Sequence, residues 1–244
     1  MKNLFFFASL IISTTAFGQI LRPMDDLFVQ SARDNAGKTG AQVIAESNAN
    51  YDRFVALDVN AISTYRQSDA AKPTFISREN ADLALRAAMD NDVVSLDKYS
   101  KYDKDNKGIG FCFGRAMFVN LYLAINGVSR ANIKKAFVVG PMSKGAWGWH
   151  VTTIVQSKNT SGKEIWLAID PVAGQIMEAK QWYRHWQGSS DNGKLRFYIA
   201  ESGKFGAGPS RYDERGISNP FYNNYFTDMM KWFEKNDISD ELPL

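Results

Sequence analysis

The chain contains a single cysteine, Cys112, so it can close no disulfide within itself. Its fold must therefore rest on buried apolar surface, for which a hydrophobic content of 45% is ordinary in a globular protein. The constraint is sharper because the N-terminus reads as an export signal. Lys2 gives a positive start, Leu4 to Ile12 a short apolar run, and Ala16-Phe17-Gly18 a small-x-small site, so cleavage is expected after Gly18. The run is shorter than the about 20 apolar residues that span a bilayer. No cysteine follows it to carry a lipid, and no later segment reads as a span. A secreted or periplasmic protein without stable membrane insertion is the expectation. Exported chains commonly pair their cysteines. An unpaired one points to a reactive thiol or an intermolecular partner, or else to a small buried residue.

The net charge of +3 is small and the basic residues are scattered, which argues against a nucleic-acid partner. A lone cysteine and two distant histidines make no metal-ligand cluster. No glycine loop with a following lysine precedes a helix, which argues against a nucleotide enzyme. No cofactor and no metal are expected.

Three segments are expected: the signal over 1–18, an N-terminal segment over 19–75, and a catalytic domain over 76–244. Ser68 to Pro73 reads as a linker. Between Asp25 and Asn48, Gly37 and Gly40 interrupt any helix, and Tyr51 to Tyr65 reads as a helix or an extended arm. Ser77 is a candidate N-cap, followed by Ala81, Leu85, Ala88 and Met89 at helical spacing. Asp97 to Lys107 reads as a loop of solvated charge. A helix is expected from Cys112 to Ala124, with Asn126-Gly127 as its stop. Strands are expected over Lys135–Val139, Trp147–Val155 and Ile165–Asp170, the last two joined by a turn at Lys158–Lys163. Glu178 to Trp186 reads as a helix, Lys194 to Ala200 as a strand, and Phe221 to Asn236 as a C-terminal helix. The fold class is α+β, a helix on an antiparallel sheet with further helices at both ends.

Period-two alternation puts Trp149, Val151, Thr153 and Val155 on one face and His150, Thr152 and Ile154 on the other. On the next strand Trp166, Ala168 and Asp170 share a face. Antiparallel pairing would then bring His150 and Asp170 to a common surface. Cys112 at a helix start gains from the partial positive charge and unpaired N–H groups there. Both favour a thiolate, and the N–H groups suit an oxyanion. Gly108 and Gly110 would let the backbone approach a substrate closely. A histidine can move the protons, and a carboxylate can fix its tautomer. Singly, each residue has a plainer reading. His150 fits a bonded core histidine, Asp170 before Pro171 a turn opener, and Arg115 a solvated helix residue. His185 reads as a surface or packing residue.

Cys112-Phe113-Gly114-Arg115-Ala116, Trp147-Gly148-Trp149-His150-Val151 and Ile169-Asp170-Pro171 together resemble the bacterial protein-glutaminase (protein-glutamine deamidase) family. The resemblance spans about residues 75–235. It implies a transglutaminase/papain-like fold, with Cys112 as nucleophile, His150 as general base and acid, and Asp170 as orienting carboxylate. Trp147 and Trp149 become candidate substrate contacts. The implied partner is a protein or peptide with an accessible glutamine, converted to glutamate with release of ammonia through a thioester on Cys112. Residues 19–75 would be a pro-segment or a helical subdomain. A transglutaminase or a cysteine peptidase of the same fold stays open, as does a non-catalytic exported binding module.

Overall fold

The structure, a computed structural model, describes residues 20–65, 75–105, 107–142, 147–239 and 241–242. The expected export signal and the linker at 68–73 lie outside the described residues. The fold is α+β, built on a five-stranded antiparallel sheet of strand order β4-β3-β2-β1-β5. The strands are β1 (Ile133–Met142), β2 (Trp147–Lys158), β3 (Glu164–Asp170), β4 (Gln175–Glu178) and β5 (Arg196–Glu201). Helices cover both faces: α1 (Leu27–Asn35), α2 (Gly40–Tyr65), α3 (Arg78–Met89), α4 (Cys112–Ile125), α5 (Ala179–Gln187), the short α6 (Glu214–Ile217) and α7 (Tyr225–Lys235).

The sheet separates two apolar cores. On one side Phe137, Val151, Val155, Leu167 and Ile169 pack with α3, α4 and α7. On the other, Ala136, Val138, Ile154, Trp166 and Ala168 pack with α2 and α5. Burial on both faces explains why the middle of β2 has no exposed side. Its polar residues are satisfied internally: Thr152 donates to Ile169 O at 2.5 Å, Thr153 to Ala116 O at 2.6 Å and Ser157 to Ile76 O at 2.7 Å.

Ser77 caps α3 by accepting from the Asn80 amide at 3.0 Å, as its position before an apolar repeat implies. The glycine-interrupted region departs from the sequence reading. Asp26 caps α1 through the amides of Phe28 and Val29, Gly37 sits in the turn between helices, and Gly40 begins α2 rather than breaking it. Residues 20–21 join the sheet region, with Leu21 N donating to Ile199 O at 3.0 Å and Leu21 O accepting from Glu201 N at 2.8 Å.

Two further departures have local causes. Glu178, expected within a helix, ends β4 and caps α5 in a capping box with Gln181. A strand of four residues carries too little alternation to be read. The Asp97–Lys107 segment is more than solvated charge. It contains a 3-10 turn at Tyr99–Tyr102, and Asp103 accepts from the amides of Lys107 and Ile109 at 2.9 and 3.0 Å, ordering the approach to α4. At the other end, α7 starts at Tyr225, after a 3-10 turn at Pro220–Tyr222 and two asparagines in left-handed conformation.

Candidate active site

The approach to Cys112 is shaped by Phe111, which occupies the N-cap position of α4 at φ 48 and offers no side-chain cap. A positive φ is costly for a bulky residue and holds only where packing enforces it. Here the Phe111 ring is fully buried, stacked on Tyr225 at 4.3 Å and surrounded by Tyr99, Tyr102, Phe113 and Tyr222. The first-turn amides, beginning at Cys112, keep their N–H groups free of any side-chain cap.

Two glycines make close approaches that a side chain would forbid. At Gly114 an added Cβ would lie 2.2 Å from the buried Tyr225 ring, so α4 and α7 touch here only because this position is bare. At Gly110 it would lie 2.8 Å from the Trp147 ring. Gly110 thus admits the indole against the loop. Arg115, one reading of which was a solvated helix residue, is instead buried. The aromatic core beside α4 holds it: it lies 4.4 Å from the Tyr99 ring centroid and donates through Nη1 to Gly110 O at 2.5 Å. It therefore pins the loop that leads to the cysteine.

Cys112 itself is 6% exposed and lines a cavity of about 240 Å³ with residues 108–111, Phe113 and 147–149. Trp147 and Trp149, the two candidate substrate contacts, are both in this wall. His150 lies deeper on β2, opposite Val138 of β1, with its ring near Trp147 (6.2 Å), Trp182 (5.8 Å) and Trp186 (4.1 Å). Its Nε2 is 2.8 Å from Oδ2 of Asp170 at the end of β3, so these two residues do meet on one face.

Asp170 is the most heavily bonded side chain of the site. Oδ2 accepts from His150 Nε2 and from the indole N–H groups of Trp182 at 2.7 Å and Trp186 at 3.1 Å. Oδ1 accepts from the amides of Val172 at 2.9 Å and Ala173 at 3.3 Å. The turn-opening role and the histidine-facing role, alternatives in the sequence, are thus held by different oxygens of one carboxyl. Burial opposes its ionisation, but His150 and these donors outweigh burial and hold the carboxyl below its ordinary range.

A carboxylate only accepts, so Nε2 of His150 carries hydrogen and Nδ1 is the nitrogen free to take a proton. Nδ1 has no formed hydrogen bond among the described residues, and Cys112 acts on the ring electrostatically. Burial would push the imidazole down, yet Asp170 and Cys112 raise it to about 9. The sign for stability follows. A raised histidine stabilises fully below the ordinary value near 6.5 and loses that contribution as pH climbs through about 9. Urea midpoints are therefore expected to fall over this alkaline window in the native protein and to fall less in His150→Gln; equal slopes in both would contradict the assignment.

Trp182 and Trp186 were not singled out from sequence. Their signal was present, because two tryptophans four apart share one helix face, but what that face meets was not legible. His185 between them is exposed.

No protein-family profile and no curated protein matches this chain. Solved structures give distant likenesses. A crystal structure of protein-glutaminase covers 63% of this chain and 83% of its own at 20% identity and a TM-score of 0.43. The A47Q2 mutant of pro-protein-glutaminase covers 70% and 66% at 17% identity and 0.45. The NMR structure of protein-glutaminase from Chryseobacterium proteolyticum covers 55% and 78% at 23% identity and 0.37. At this distance the chemistry has to follow from the site's own atoms.

Proposed function

We propose that this chain is a thiol amidohydrolase that deamidates glutamine side chains in proteins or peptides. One observation carries the reading: a cysteine at an uncapped helix start, with a buried histidine whose far nitrogen is anchored by a five-donor carboxylate. The sequence motifs around Cys112, His150 and Asp170 support glutamine as the reacting group. The cavity beside Cys112 is small and walled by two indoles, which suits an amide carried at the end of a side chain.

In this reading the Cys112 thiolate attacks the glutamine γ-carbonyl, forming a C–S bond. The oxyanion is held by the Cys112 amide in the first turn of α4. Protonated His150 gives its Nδ1 proton to the nitrogen as the C–N bond breaks, and ammonia leaves. A water then gives a proton to Nδ1 as it attacks the thioester, glutamate departs, and the thiolate returns. Asp170 stays ionised throughout and holds the ring orientation.

The test is product analysis on a glutamine-containing protein and a lysine-bearing acceptor. Ammonia release with glutamate in place of glutamine is expected. Lysine cross-links would indicate a transglutaminase, and backbone cleavage a peptidase. No change in any of these would leave a binding module and overturn the reading.

A further inference from the structure

Each indole of the Cys112 cavity also walls a second, larger cavity. Trp147 and Gly148 are shared with one of about 620 Å³, and Trp149 and Phe113 with another of about 280 Å³. The two flanking cavities have no lining residue in common, so the thiol cavity is the space that links them. The larger one is bordered by α1 through Phe28, Ser31, Ala32 and Asn35. The Phe28 ring reaches the seam, where an added Cβ on Gly148 would lie 3.4 Å from it. Phe28 is nonetheless 44% exposed, and Ala32 is exposed, so α1 borders this space without filling it. Among the described residues, none before Gly108 lines the Cys112 cavity itself.

Two buried basic side chains fasten this N-terminal segment to the sheet. Arg196, on β5, turns all three guanidinium nitrogens to it: Nε donates to Asn35 Oδ1 at 2.9 Å, Nη2 to Asp34 O at 2.6 Å and Nη1 to Glu46 Oε2 at 3.1 Å. Lys204, just after β5, donates to the carbonyls of Pro23 at 3.0 Å, Asp25 at 2.6 Å and Gly208 at 3.0 Å. Both side chains are buried, and buried donors stripped of their acceptors are strongly destabilising. The apolar contacts agree. Tyr51 stacks on Phe197 at 5.6 Å and Phe54 meets Trp166 at 5.3 Å, so α2 completes the core on its face of the sheet. Loss of the segment would uncover that core and orphan both basic groups.

We propose that residues 20–65 belong to the working enzyme and that α1 is a docking wall for its substrate: the polypeptide on one side of the reacting glutamine lies in the cavity between α1 and Trp147. This rests on the deamidase reading above. A glutamine within a chain brings backbone on both sides of the side chain that enters the Cys112 cavity, and that backbone has to cross the space next to it. Phe28, Val139, Met142 and Trp147 in the lining fit an apolar residue neighbouring the glutamine. The test compares kcat and KM for ammonia release from unfolded casein and from N-acetyl-glutamine N-methylamide, which carries no neighbouring residue. The variants are Ala32→Trp, which fills the cavity, and Phe28→Ala, which strips its wall, with thermal melts alongside; if either fails to fold, the other decides. In each, kcat/KM on casein is expected to fall about ten-fold further than on the amide, through KM. Mass spectrometry of the active native protein is expected to find residues 20–65 still attached. Falls of equal size on both substrates, or activity that arises only once residues 20–65 are cut away, would overturn the proposal and spare the deamidase reading. Ammonia release from neither substrate, before or after proteolysis, would overturn that reading, and the docking wall with it.

Discussion

Asp170→Asn is expected to lower turnover by about 10⁴-fold, the scale seen when a triad carboxylate loses its charge with shape retained. The reason is donor arithmetic. Five N–H groups converge on the two oxygens of Asp170. An asparagine offers one oxygen and a donating nitrogen, so a donor must face either the two turn amides or the imidazole with the two indoles. If the nitrogen faces His150, the ring flips tautomer and Nδ1 carries the hydrogen that should come from the thiol. Asp170→Ala is expected to cost about 3–5 kcal/mol of stability, because it leaves buried donors and a buried imidazole without their partner. Turnover and urea unfolding on both variants check this. Near-native turnover in Asp170→Asn would remove the carboxylate from the mechanism.

Cys112→Ala should abolish ammonia release, a fall of roughly 10⁵–10⁶-fold, while leaving the fold in place. The sulfur contributes little to packing beyond its own volume, so the stability change is expected within about 1 kcal/mol. The combination separates a nucleophile from a core residue: a core cysteine would cost stability and spare activity. His150 should lose part of its upward shift in this variant, since Cys112 is one of the groups that raise it. An NMR titration of His150 in the variant reads that change directly.

Much of the sheet and the positions of the three candidate catalytic residues were legible because β2 and β3 are short runs rich in β-branched and aromatic residues and a good turn joins them. Cys112, His150 and Asp170 could be placed on a helix start and two strands from local pattern alone. What escaped is what depends on the covering of both sheet faces. Lys134 and Lys135 are adjacent, so one must point each way, and only the presence of α4 with Tyr212 makes Lys135 a core residue. Trp182 and Trp186 read as an apolar helix face, and nothing local says that a carboxylate lies under it. Arg115 fitted a solvated helix position because an arginine's aromatic neighbours come from other elements, here Tyr99. Helix α1 and the first half of α2 were missed because two glycines close together outweigh weak periodicity, whereas Tyr51 to Tyr65, open between helix and arm in the sequence, is the second half of α2; the capping by Asp26 is legible only once the helix is known to start there.

The alkylation rate of Cys112 at neutral pH, compared between folded and urea-unfolded native protein, addresses the claim that imidazole and carboxylate hold this thiol ready. A folded protein that reacts faster than its unfolded chain, and loses that advantage in His150→Gln, is the expected result. A sulfur that stays unreactive until the chain unfolds would contradict it.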